Sequence, residues 1–114
     1  MSRTPTRIAL AAALLVGLLA GCKSATPIKT LLDDPGRFDK QVVRVSGTVS
    51  HAVGAIGYGA FQLNDGSGTI TVVTKTEGAP RDGAQVGVEG EFRSAFTVGT
   101  ESVAVILEHQ RYSP

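Results

Sequence analysis

Few side chains in this sequence are of the kinds that make or break bonds, and their spacing limits what they can do. There is one cysteine, Cys22, and there are two histidines, His51 and His109. A structural zinc site needs four N or S ligands, which one thiol and two separated imidazoles do not supply. Ser50 and His51 are neighbours, but no strained G-x-S-x-G turn surrounds the serine and no third partner follows. Asp33 and Asp34 precede Pro35-Gly36, the setting of a solvated turn rather than of an acid–base pair. Asn64-Asp65-Gly66-Ser67-Gly68 lacks the carboxylate spacing and closing Glu of a calcium loop. The glycines Gly54, Gly57 and Gly59 are not followed by the G-K-[ST] that a phosphate loop requires. The expected chemistry is therefore non-covalent: a binding protein, not an enzyme, that needs no cofactor and no metal.

The candidate contact residues lie around that glycine-rich stretch. Tyr58 can stack on a flat ligand or a partner side chain, and Gly54, Gly57 and Gly59 allow close approach of the backbone. Arg44, Lys75 and Arg93 supply positive charge to the same expected face. Phe61 and Phe92 fall on core faces by alternation, leaving Tyr58 and Phe96 as aromatic platforms. Single-stranded nucleic acid asks for aromatics interleaved with Lys or Arg. A formal net charge of +1 gives little of the basic footprint that such a partner needs. A protein or a small or polymeric ligand is the expected partner, with nucleic acid as an alternative.

The N-terminus carries an address. Arg3 and Arg7 precede an uncharged apolar run, Ile8 to Ala20, too short for the ~20 residues of a spanning helix. It matches the h-region of a secretory signal. Leu19-Ala20-Gly21-Cys22 resembles the lipobox of bacterial lipoproteins. The resemblance implies a signal peptide over residues 1–21, cleavage before Cys22, and a diacylglyceryl group on its sulfur. Residues 22–27 then form the lipidated cysteine and a tether. Each buried acyl CH2 contributes about 0.8 kcal/mol, so several chains on one residue anchor firmly. Lys23 at the next position implies the outer membrane, facing the periplasm, in a Gram-negative host. Loss of Arg3 and Arg7 lowers the formal charge by two, from +1 to −1.

Behind the tether, Ile28, Leu31 and Leu32 are spaced for one face of a short helix. Asp33-Asp34-Pro35-Gly36 ends it, and Phe38 is free to plug a core. The remainder alternates as strands do. Val43, Val45, Gly47 and Val49 share one face, with Arg44, Ser46 and Thr48 on the other. Further strands are expected over Tyr58 to Asn64, from Ile70 to Lys75, from Val86 to Phe92, and through Val103, Val105 and Leu107. Ser94 to Thr100 is expected as a loop.

Three segments carry a second resemblance: DPGRFDKQVVRVSGTV (Asp34 to Val49), FQLNDGSGTITV (Phe61 to Val72) and PRDGAQVGVEG (Pro80 to Gly90). Together they resemble the OB-fold of anticodon-binding domains and small bacterial envelope proteins. This implies an all-β, five-stranded OB-fold Greek-key barrel with a short N-terminal helix over residues 28–109, followed by a tail at 110–114. Gly47 would let the first strand bend and serve two sheet edges, and Asp65 to Gly68 would turn strand two into strand three. The placement of His109 and Tyr112 after the last strand is also similar to the haem chaperones of cytochrome c maturation, whose Tyr falls one residue later. That similarity implies an alternative role as a haem or cation carrier.

Overall fold

A computed structural model describes residues 25–55, 58–75 and 78–114. The signal sequence, the lipobox with Cys22, and Gly57 lie outside the described residues. Two short helices, α1 (Ile28–Asp33) and α2 (Pro35–Phe38), precede five strands. These are β1 (Val42–Ala55), β2 (Tyr58–Asn64), β3 (Thr69–Thr74), β4 (Gln85–Val98) and β5 (Glu101–Tyr112). They close in the order β1-β2-β3-β5-β4, with β3 and β5 parallel and the other neighbours antiparallel. This is the expected five-stranded barrel.

The core follows from period-two alternation. Val43, Val45 and Val49 of β1, Phe61 and Leu63 of β2, and Ile70 and Val72 of β3 turn inward. Val86, Val88 and Phe92 of β4 and Ile106 of β5 complete the set. Closure depends on β1 pairing with two neighbours. Thr48 is opposite Gln85 of β4 and also opposite Asn64 of β2. A Cβ on Gly47 would lie 2.3 Å from the Asn64 carbonyl oxygen, so the handover needs glycine there.

The helix α1 plugs one end of the barrel with the fully buried Ile28 and Leu31. Its own N-cap residue, Pro27, makes no side-chain cap. The cap comes from 37 residues away: the Ile28 N–H donates to Asp65 Oδ2 at 2.9 Å, and the Lys29 N–H donates to Ser67 Oγ at 3.1 Å. Asp65 Oδ1 also accepts from the Ser67 hydroxyl and from the N–H groups of Ser67 and Gly68. One aspartate thus orders the β2–β3 turn and satisfies helical donors left open by the chain itself.

Three departures from the expected elements have physical reasons. The chain restarts a helix at Pro35, whose fixed φ suits a first helical position, so Phe38 packs against the core from α2. The segment expected as a loop at Ser94 to Thr100 belongs to a long β4–β5 hairpin paired as far as Val98↔Glu101. Its turn uses Gly99 at φ +63°, and its arms carry β-forming Phe96, Thr97, Val98 and Val103. β5 runs on through residues 110–112, expected as tail, because Gln110, Arg111 and Tyr112 pair with Glu89, Val88 and Gly87.

Burial would raise the Asp65 pKa, but the hydrogen bonds from Ser67, Ile28 and Gly68 outweigh it and hold the carboxyl below its ordinary 3.8. Its stabilisation is therefore full above the ordinary carboxylate pKa and is lost as pH falls through the lowered value. Asp65→Ala is expected to destabilise the fold by about 1–2 kcal/mol, the cost of losing a helix cap. Urea unfolding at pH 7 measures this, and the gap between the two proteins should narrow below pH 4.

Candidate binding face

Outward positions of β1, β2, β3 and β5 meet in one row. Val53 pairs with Ala60, Ala60 with Val73, and Val73 with Leu107. All four are apolar. Val53 is 64% exposed and Tyr58, two residues from Ala60 on the same strand face, is 59% exposed. Ala60, Val73 and Leu107 are half-buried. The next row is polar at Gln62 and Thr71 and ends at the buried Val105 and the half-buried Arg93. The result is an apolar stripe with a polar margin, led by an exposed tyrosine.

The β1–β2 hairpin that projects Val53 and Tyr58 is held at its base. β1 carries a bulge between Ser50 and Val53, with His51 at φ +50°. The β3–β4 connection ties down the bulge. The Gly83 N–H donates to the Val49 carbonyl at 2.7 Å, the Val49 N–H donates to Ala84 O at 2.9 Å, and the Ala52 N–H donates to Asp82 Oδ1 at 2.9 Å. A bulge of this kind re-aims the strand beyond it.

The residues expected on one face divide. Tyr58 leads the stripe, and Lys75 is exposed directly after the pair Gly59↔Thr74, leaving the sheet beside it. Arg93 ends the adjacent row, where it is paired with Glu91. Arg44 is elsewhere: it and Ala55, the partner of Tyr58, sit near opposite ends of β1. Its guanidinium lies 4.0 Å from the centre of the Tyr112 ring and 3.6 Å from Glu89 Oε1. Among the glycines, Gly54 has open space around it, whereas a Cβ on Gly59 would come within 3.1 Å of the Ala79 nitrogen. Gly59 therefore serves the packing of the β3–β4 connection.

Tyr112 is committed to the fold. Its hydroxyl donates to the Val45 carbonyl at 3.1 Å, and its ring fills the space over Gly87, where a Cβ would lie 2.2 Å from it. His109 is exposed on β5. Among the described residues no group of three or more His, Cys, Asp or Glu side chains is placed to hold a metal.

Alternation alone hid the stripe. Val103, Val105 and Leu107 read as the apolar face of the last strand, yet it is Ile106 that enters the core, with Ala104 packed beside it. The inward position after Ile106 is Glu108, whose side chain is 2% exposed. It is paired through both oxygens with Arg111, at 3.0 Å and 2.8 Å. Arg111 also donates to Gly78 O at 2.8 Å and lies over the Phe61 ring. A charged pair at an inward position breaks the apolar pattern, and the outward valines and leucine mimic it. The overlooked signal was the uninterrupted run VAVIL (Val103 to Leu107), which puts apolar residues on both faces of the strand.

The strand order, the Greek-key return of β4 to β1, and closure define an OB-type barrel. Solved structures share it. The chain superposes on an OBody bound to hen egg-white lysozyme with a TM-score of 0.60 and 13% identity, over 80% of this chain and 95% of that one. It superposes equally, with a TM-score of 0.60 and 18% identity, on an aspartyl-tRNA synthetase from Leishmania major Friedlin, over 80% of this chain and 21% of that one. At these identities the likeness concerns the fold alone. No protein-family model matches the chain, and no curated protein matches it in sequence.

Glu108→Ala would remove both carboxylate contacts of Arg111 while its bond to Gly78 O remains. It is expected to lower stability by about 3 kcal/mol, the scale of breaking a buried pair, with the shift read in the midpoint of urea unfolding.

Proposed function

We propose that this protein is a lipid-anchored binding module of the cell envelope, whose barrel presents the outer face of β1, β2, β3 and β5 to another protein. The observation that carries the proposal is the stripe Val53, Ala60, Val73 and Leu107, led by the exposed Tyr58. A contiguous apolar patch with a polar margin marks an interaction site, and a tyrosine is among the side chains that anchor interfaces. This is also the face, with the β1–β2 loop, through which OB barrels take up ligands. That an OBody of similar fold is found bound to lysozyme supports a protein as occupant. The adaptor role requires no reaction, and attachment through Cys22 would set where it acts.

The committed positions of the other candidates favour a protein over the rival ligands. Arg44 and Arg93 have carboxylate partners, which leaves less free positive charge for a phosphate backbone. Tyr112 is engaged by Val45 and Arg44, which leaves a haem or a cation with His109 alone of that pair.

Crosslinking in intact cells, followed by capture of the full chain, tests this proposal. Val53→Asp with Tyr58→Ala is expected to reduce recovery of a specific envelope protein at least tenfold, in line with the ~2 kcal/mol of an interface hot spot, with an unchanged melting temperature. Recovery of the same partner at the same level by the variant would overturn the assignment of the face. Loss of labelled palmitate in Cys22→Ser, with release from the membrane fraction, is the expected result for the anchor.

A further inference from the structure

An open concavity of the described surface lies away from the stripe, along the outer side of β1 where the chain enters the barrel. Its volume is about 940 Å³, the upper part of the range for small-molecule sites. Ser46, Thr48 and Ser50 line it at alternate positions of β1, so their hydroxyls recur about every 6.7 Å along the strand. Asn64 and Gln85 face them with carboxamides, and Pro27 and Pro114 border the groove. Gly47 also lines it, and the Asn64 carbonyl occupies the space a Cβ there would take.

The chemistry of this lining selects among ligand classes. Among the described residues no Lys or Arg side chain lines the groove, so none of them offers a positive charge to a phosphate or sulfate. The one carboxylate, Asp65, already accepts from Ile28 on one oxygen and from Ser67 and Gly68 on the other, so it is not free for a cation. At Thr48 β1 is paired on both edges, so a peptide strand cannot add there. What remains is a row of groups that both donate and accept. The Thr48 hydroxyl accepts from Gln85 Nε2, while the hydroxyls of Ser46 and Ser50 bond to no other group among the described residues. Each such hydroxyl is one donor with two acceptor lone pairs. That is the complement of a sugar, whose hydroxyls need partners of both kinds. The proline rings offer apolar C–H surface to the faces of a sugar ring.

We infer that this groove is a binding site for a neutral saccharide, distinct from the face that would dock a protein. The spacing of the β1 hydroxyls is on the scale of one pyranose ring, so successive hydroxyls would meet successive sugars of a chain. The saccharide can come from a free glycan or from the headgroup of a glycolipid, and the chemistry of recognition is the same.

The test uses the full chain in zwitterionic micelles without sugar groups, followed by amide NMR. One arm adds neutral oligosaccharides of hexoses and of N-acetylhexosamines; the other incorporates a neutral glycolipid. Saturable shifts are expected at residues 46–50, 64–67 and 85, with residues 53–60 unmoved. Ser46→Val with Ser50→Val should weaken the response at least tenfold while keeping the remaining spectrum. Response to the free sugar identifies a soluble glycan as sufficient; response only to the glycolipid identifies a membrane source. Absence of those shifts in both arms, or shifts of equal size and midpoint in the double variant, would overturn the inference.

Discussion

Closure of the barrel rests on one strand serving two neighbours. β1 pairs with β4 over its first half and with β2 over its second, and the two sets of bonds overlap at Thr48. The strand turns there because Gly47 has no Cβ to strike the Asn64 carbonyl. Without that close approach β1 would have to choose a partner, leaving unpaired strand edges that template aggregation. The parallel pairing of β3 and β5 completes the ring and places the outward residues of four strands in register.

The two ends of the barrel are closed by different chemistry. At one end an apolar helix enters, and the β2–β3 turn supplies its cap. At the other, Arg111 reaches from β5 over Phe61 and joins Glu108 to the Gly78 carbonyl of the β3–β4 connection. The same connection also holds the β1 bulge. A small core that could support only a modest barrel thereby gains cross-links between segments distant in sequence. These clamps leave the outer surface for contact: an apolar stripe across four strands and a hydroxyl-lined groove at the chain's point of entry.

Much of this architecture was legible. Alternation identified the inward faces of β1 to β4, the N-D-G-S-G run marked the β2–β3 turn, and Gly47 stood where the first strand must bend. The short helix was equally visible. The β4–β5 hairpin was not, because Ser94, Gly99 and Thr100 look like loop residues until the arms between them find each other. The face of β5 was misleading for a sharper reason. Glu108 occupies an inward position, and its burial is tolerable only through a partner three residues further on.

Local pattern by itself determined which segments extend, where they turn and which side of most strands is apolar, because those follow from side-chain periodicity and glycine conformation. Tertiary structure alone decided which side chains became neighbours. Arg44 and Tyr58 looked like members of one surface but lie toward opposite ends of β1, and Tyr112, expected in a tail, is spent on Val45 and Gly87. Val53, Ala60, Val73 and Leu107 come from four strands and form a stripe only when register aligns them. Register is a property of pairing between distant segments, set by closure, bulges and buried charges together, and no single stretch of the chain contains it.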